Sequence, residues 1–246
     1  MPEPDLASRS ALDGASLVPP RWGIGDAIIG WVLAQVGGAI TASVVLGLSD
    51  REFDDLSLGW VAAAQVGLWL GFFVVPVVAT RLKGNGIVED LGLRATSWDG
   101  PVGVAIGVAT QIVLLPLVYL PILFLLDRDG DDLSAPAREL TDRASDPFGV
   151  TMLILIVGIG APIFEEIFYR GLMQRALQRR LGDWPAVVVT AVVFGLSHFQ
   201  LLQMPGLILF GMVVGVLALR TGRLGPSIAA HVGFNLVSVG LLLATG

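Results

Sequence analysis

Residues 149–170 read GVTMLILIVGIGAPIFEEIFYR. The stretch 149–164 carries no charge, and Glu165, Glu166 and Arg170 follow directly. A hydrocarbon core about 30 Å thick takes about 20 helical residues to cross. The stretch therefore has the length of a membrane span, with three ionisable groups at or inside its end. An ionised side chain at the centre of a bilayer costs roughly 2.5–3.5 kcal/mol on insertion scales, so such groups face a bundle interior and carry function. These residues define the fold class and mark where its chemistry lies.

The rest of the chain has the same character. Of its 246 residues 54% are apolar and 15% charged, with a mean hydropathy of +0.77; soluble domains carry about a quarter charged residues. Apolar blocks fall at 24–48, 57–80, 100–126, 149–170, 184–200, 204–220 and 224–244. The reading is an all-α, polytopic transmembrane helix bundle of about seven spans (six to eight), with the candidate residues on the later helices. The sixth block is short and is expected to be re-entrant or tilted. GIVEDLGLRATSWDG (86–100) suits a short interfacial segment, and the acidic stretch 127–147 reads as the longest hydrophilic loop. Residues 1–21 read as a disordered polar tail, proline-broken and unlike a cleavable signal peptide, and 22–246 as the bundle.

Charge sets further bounds. The net charge is −6 and the basic residues are scattered or flank spans, so nucleic acid is not an expected partner; membrane lipids are. The chain has no cysteine, which excludes disulfides and thiol chemistry. Arg9 and Arg21, then Arg81, Lys83 and Arg94, then Arg175, Arg179 and Arg180, then Arg220 and Arg223 fall on one side if spans alternate. Cytoplasmic loops are enriched in Lys and Arg, so the N-terminus is expected inside. The Ala/Gly/Val/Arg-rich, Lys-poor composition points to a high-GC bacterial genome and hence to a bacterial plasma membrane.

The two histidines of the chain, His198 and His231, both fall within late apolar blocks, and Asn235 stands four residues after His231. Residues at i and i+4 share a helix face. That places Glu166 with Arg170, Phe194 with His198, and His231 with Asn235, whereas Glu165 points about 100° away from Glu166. The Glu166–Arg170 pair reads as structural. Pro162 removes the hydrogen bond to the Gly158 carbonyl and is expected to kink the helix, while Gly158 and Gly160 permit close helix approach.

A carboxylate and a histidine can activate water, and a second histidine and an amide can donate to the oxyanion of a tetrahedral intermediate. Two histidines and a carboxylate are equally a zinc donor set, here Glu165, His198 and His231. The residues alone leave both open. They also leave open a proton-coupled transporter, disfavoured because the polar residues concentrate in one half, and a non-catalytic scaffold of the same fold.

Glu165-Glu166-x-x-x-Arg170, Phe194-x-x-x-His198 and His231-x-x-x-Asn235, in that order, resemble the CPBP family of intramembrane proteases, which includes the CAAX prenyl endopeptidases and the Abi-type bacteriocin-immunity members. The motifs span 165–235 within a core of about 149–244; LGLR at 91–94 is a weaker likeness, and the first 80 residues match only as membrane helices. The resemblance implies an endopeptidase acting on membrane-associated, in some members lipidated, protein or peptide substrates. It implies that Glu165 and His198 activate water, that His231 and Asn235 bind the oxyanion, and that Glu166, Arg170 and Phe194 support the site. For the cofactor, a metal-free glutamate mechanism competes with a zinc metalloprotease and is preferred. Bacteria generally lack prenylated CAAX substrates, which separates the family name from the expected substrate.

Overall fold

The computed structural model describes residues 19–245. The segment read as a polar tail lies largely on residues 1–18, outside the described residues. Among those described there is no strand, and the helices run α1 Ile24–Ser49, α2 Leu58–Lys83, α3 Ile87–Leu91, α4 Asp99–Leu126, α5 Gly130–Asp142, α6 Pro147–Leu181, α7 Asp183–Leu196, α8 Met204–Thr221 and α9 Gly225–Thr245. Six of these, α1, α2, α4, α6, α8 and α9, are long and apolar enough to cross a membrane. The chain is an integral membrane protein.

The short member is the fifth block, not the sixth. α7 has 14 residues, about 21 Å at 1.5 Å per residue, whereas the 18 residues of α8 reach about 27 Å. The stretch 127–147, expected as a loop, is largely helix α5. Asp129 caps it by accepting from the N–H groups of Asp131 and Asp132 at 2.9 and 3.0 Å, and Asp131 and Asp132 place negative charge in its first turn. Its polar composition conceals an amphipathic helix, whose Leu140 packs against the cluster of Leu58, Ala144, Leu153 and Val239.

Lipid offers apolar side chains no hydrophobic gain for leaving it, so membrane helices associate through close packing of small residues. Ile29, Leu33, Leu70, Leu117 and Phe124 accordingly face outward, and glycines line the seams. On α1 and α2, a Cβ at Gly71 would meet that of Ala34 at 2.7 Å, and Thr41 Oγ1 donates across the seam to the Ala64 carbonyl at 2.6 Å. On α4 and α9, a Cβ at Gly103 would meet that of Ala229 at 2.7 Å, and one at Gly233 would meet Val104 Cα at 2.9 Å. On α7 and α8, Gly211 packs against Ala191.

The basic residues at the helix ends converge. The Arg21 N–H donates to the Lys83 carbonyl at 2.7 Å, and Arg179 donates to the Trp22 carbonyl at 2.6 Å while stacking on its ring. Arg175 donates to the Gly222 carbonyl at 2.7 Å, and Arg223 pairs with Asp99 at 2.7 Å. LGLR acts here as a backbone clip. The Gly92 and Arg94 carbonyls accept from Leu224 and Gly225 at 2.8 and 3.1 Å, tying the entry of α4 to the α8–α9 turn. Gly92 has φ +66° and lies against the Gly222 carbonyl and Arg175, so neither the conformation nor the space admits a side chain. The opposite end of the bundle carries acidic α5.

α6 is a continuous helix of 35 residues interrupted by two wider, π-type turns, Ile154–Gly160 and Ile167–Gln174. The sequence predicts a proline kink here, and the helix widens on either side of 161–166. Such turns are frequent at functional sites.

Candidate active site

α6 is anchored by its aromatic face. Phe164 stacks on Trp69 with ring centroids 5.0 Å apart, and Phe168 on Phe72 at 4.6 Å. With the 164/168 face held against α2, Glu165 and Glu166 point elsewhere, about 100° from each other.

Glu166 points into the protein. It and Arg170 have no exposed side-chain surface, and Arg170 Nη1 donates to Glu166 Oε1 at 2.8 Å. Arg170 Nη2 donates to the Gly211 carbonyl at 3.1 Å, and Gln174 Nε2 to the Gly215 carbonyl at 2.9 Å. Three α6 residues four apart thus form a ladder, two of whose rungs reach α8 carbonyls also four apart. A Cβ at Gly215 would lie 2.9 Å from Gln174 Oε1, so glycine lets the amide reach the backbone. Sequence reasoning missed Gln174, although its spacing from Arg170 was the available signal.

His231 sits between the two carboxylates. Its Nδ1 is 2.9 Å from Glu166 Oε1, and its Nε2 is 3.8 Å from Glu165 Oε2. Because Glu166 is the ion-pair partner of Arg170, Nδ1 carries the hydrogen and Nε2 faces Glu165. Glu166 therefore does more than hold the helix in register: it sets the tautomer and ring orientation of His231. Glu165 retains 15% side-chain exposure and His231 5%, so the open side of the pair is that of Glu165.

His198 lies just beyond α7, in a tight turn, rather than inside the helix as the apolar block implied. Its N–H bonds the Gly195 carbonyl, and Phe199 follows in the left-handed region at φ 55°. His198 Nδ1 is 2.8 Å from the Phe194 carbonyl. A carbonyl only accepts, so Nδ1 carries the hydrogen and Nε2 keeps its lone pair for a proton or a ligand. Phe194 links the parts: its ring meets those of His198 at 4.8 Å and His231 at 5.8 Å, and the Arg170 guanidinium lies 4.6 Å from its centroid. Phe210 closes the other face of His231 at 4.9 Å. His198 joins the group through Phe194, not through a bond to Glu165. Asn235 donates from Nδ2 to the Val157 carbonyl at 2.7 Å, in the first wide turn of α6.

A zinc site would need three donors converging on one point. Among the described residues no three His, Asp or Glu side chains are grouped to hold a metal ion. The donor set Glu165, His198 and His231 does not fit as it stands. A cavity of about 350 Å³, lined by Tyr119, Leu133, Gln200, Gln203, Leu207 and Phe234, lies beside the group.

Comparison with known proteins places the same segment. Residues 147–237 match the family model of type II CAAX prenyl endopeptidase Rce1-like proteins. A protein of Escherichia coli named "Uncharacterized 24.3 kDa protein" is 27% identical over 158 residues, covering 59% of this chain and 70% of its own. "Putative membrane peptidase YdiL" of Bacillus subtilis (strain 168) is 30% identical over 86 residues, 35% of each chain. No solved structure gives a significant match. The segment similar to the Rce1-like family, residues 147–237, contains Glu165, Glu166, Arg170, Gln174, Phe194, His198, His231 and Asn235.

Proposed function

We propose that this protein is an intramembrane endopeptidase that hydrolyses peptide bonds of membrane-associated substrates, with Glu165 and His198 activating water and His231 and Asn235 receiving the oxyanion. The observation that supports it most is the placement of His231: Nδ1 bonded to buried Glu166 and Nε2 turned toward partly exposed Glu165. When protonated, this ring offers Nε2–H toward the site while its Nδ1–H stays on the Glu166 carboxylate. Glu165 faces it as an acceptor for a proton from water, and His198 presents the unprotonated Nε2 that such a step also needs. Attack of water on the carbonyl carbon gives a tetrahedral oxyanion, and the departing amine takes the proton that water lost. Donors fixed before the charge develops are worth about 2.7–4 kcal/mol each in comparable hydrolases. No step is routed through a metal.

The alternation of basic and acidic ends supports an N-terminus on the cytoplasmic side, since the basic end gathers Arg21, Lys83, Arg175, Arg179 and Arg223. The bacterial relatives support a bacterial plasma membrane. Matches to a CAAX endopeptidase family and to a membrane peptidase favour an enzyme over a scaffold or a transporter.

The test uses detergent-purified protein and a panel of peptides, prenylated and unmodified, with and without a chelator. The expected result is cleavage that persists with chelator and disappears in Glu165→Ala and His198→Ala, both still folded. Cleavage abolished by chelator and restored by zinc would replace the water-activation step. A folded protein with no cleavage across the panel would favour the scaffold.

A further inference from the structure

The proposed oxyanion donor Asn235 is positioned by a backbone carbonyl that α6 leaves without a helical partner. In an α-helix the Val157 carbonyl accepts from the N–H of residue 161. In the wide turn Ile154–Gly160 that N–H, from Ala161, bonds the Ile156 carbonyl instead. Counting five residues on, as this wider register requires, the donor facing Val157 is residue 162, a proline with no N–H. The carbonyl is thus deprived of both its helical donors. A backbone acceptor left unmade inside a membrane costs several kcal/mol, so it takes the nearest donor available, Asn235 Nδ2 at 2.7 Å.

We propose that Pro162 and the wide turn before it are a positioning device for Asn235. The bond does two things. A carbonyl can only accept, so the Asn235 amide must present Nδ2, not Oδ1, to Val157; the flip of the side chain is fixed. With one N–H held, the second N–H of the same group projects in a set direction, ready to donate. Proline at 162 is the one residue that cannot compete for the carbonyl. Any other residue there supplies an N–H that caps Val157 and releases the side chain. This inference rests on the assignment of Asn235 as an oxyanion donor.

The chain has two asparagines, Asn85 and Asn235, so ¹⁵N-asparagine labelling gives two side-chain amide signals, assigned with Asn235→Ala. In the wild-type protein the two Asn235 amide protons are expected farther apart in shift than those of a free primary amide, and in Pro162→Ala that separation falls back to the free-amide value. A wild-type Asn235 pair with only the free-amide separation overturns the inference whether or not Pro162→Ala folds. The kinetic arm uses a peptide that the wild-type protein cleaves. Pro162→Ala is expected to lower kcat at least tenfold with KM within twofold, and to add less than twofold in an Asn235→Ala background. Full kcat in Pro162→Ala, beside lost activity in Asn235→Ala, refutes the positioning role alone. Undiminished kcat in Asn235→Ala refutes the oxyanion role itself.

Discussion

Arg170→Met tests how the buried polar ladder is held. The substitution keeps the unbranched stem and removes three interactions: the 2.8 Å bond to Glu166, the 3.1 Å bond to the Gly211 carbonyl and the contact with the Phe194 ring. Both partners of the ion pair are without exposed side-chain surface, so the Glu166 carboxylate is left buried without its cationic partner. Removing one partner of a buried pair costs about 3–5 kcal/mol because a charge is stranded. At about 2–4 °C per kcal/mol for a chain near this size, the melting temperature in detergent should fall by about 6–20 °C. Replacing both partners, Glu166→Leu with Arg170→Met, removes the stranded charge and should recover most of that loss. The double variant should remain inactive, because His231 loses the acceptor that orients it. A single variant that melts within about 2 °C of the parent, or a double variant no more stable than the single, would refute the reasoning.

Tyr119→Phe removes the hydroxyl that accepts from the Gly206 N–H at 2.9 Å and donates to the Gln203 carbonyl at 2.8 Å. A buried N–H without a partner costs about 1–3 kcal/mol, and thermal melting should register the loss. Gly107→Ala places a methyl against the Ala230 carbonyl and the Phe234 nitrogen on α9. Forcing α4 and α9 apart should cost about 1–3 kcal/mol and reduce activity as well, since α9 carries His231 and Asn235; full activity in that variant would show that the seam does not set their position.

The bundle was legible because charge is expensive in lipid: uncharged runs had to be spans, and the ionisable residues within them had to face inward. The same argument drew attention to Glu165, Glu166, Arg170, His198, His231 and Asn235 before any geometry was known. Three things were not legible. α5 was read as a loop because its acids outweigh its apolar face, although Asp129 and Asp132 stand at the spacing of an N-terminal capping box. His198 was placed inside a helix because apolar composition continues past Leu196, whereas the helix ends where Phe199 turns left-handed. The partners of Asn235 and Gln174 are backbone carbonyls of Val157, on an earlier helix, and Gly215, on a later one. No side-chain pattern announces a carbonyl; a wide turn before a proline, or a glycine on a neighbouring helix, can be recognised only once the helices are paired.

The central claim is that the Glu165 carboxylate activates the attacking water. Its most direct test is the single-turnover rate of Glu165→Gln on a peptide that the wild-type protein cleaves, with the melting temperature measured alongside. Glutamine keeps the shape and cannot take a proton, so the rate should fall about 10²- to 10⁴-fold, the range for a lost general base, in a protein that melts as the parent does. A folded Glu165→Gln protein that cleaves at the wild-type rate would contradict the account.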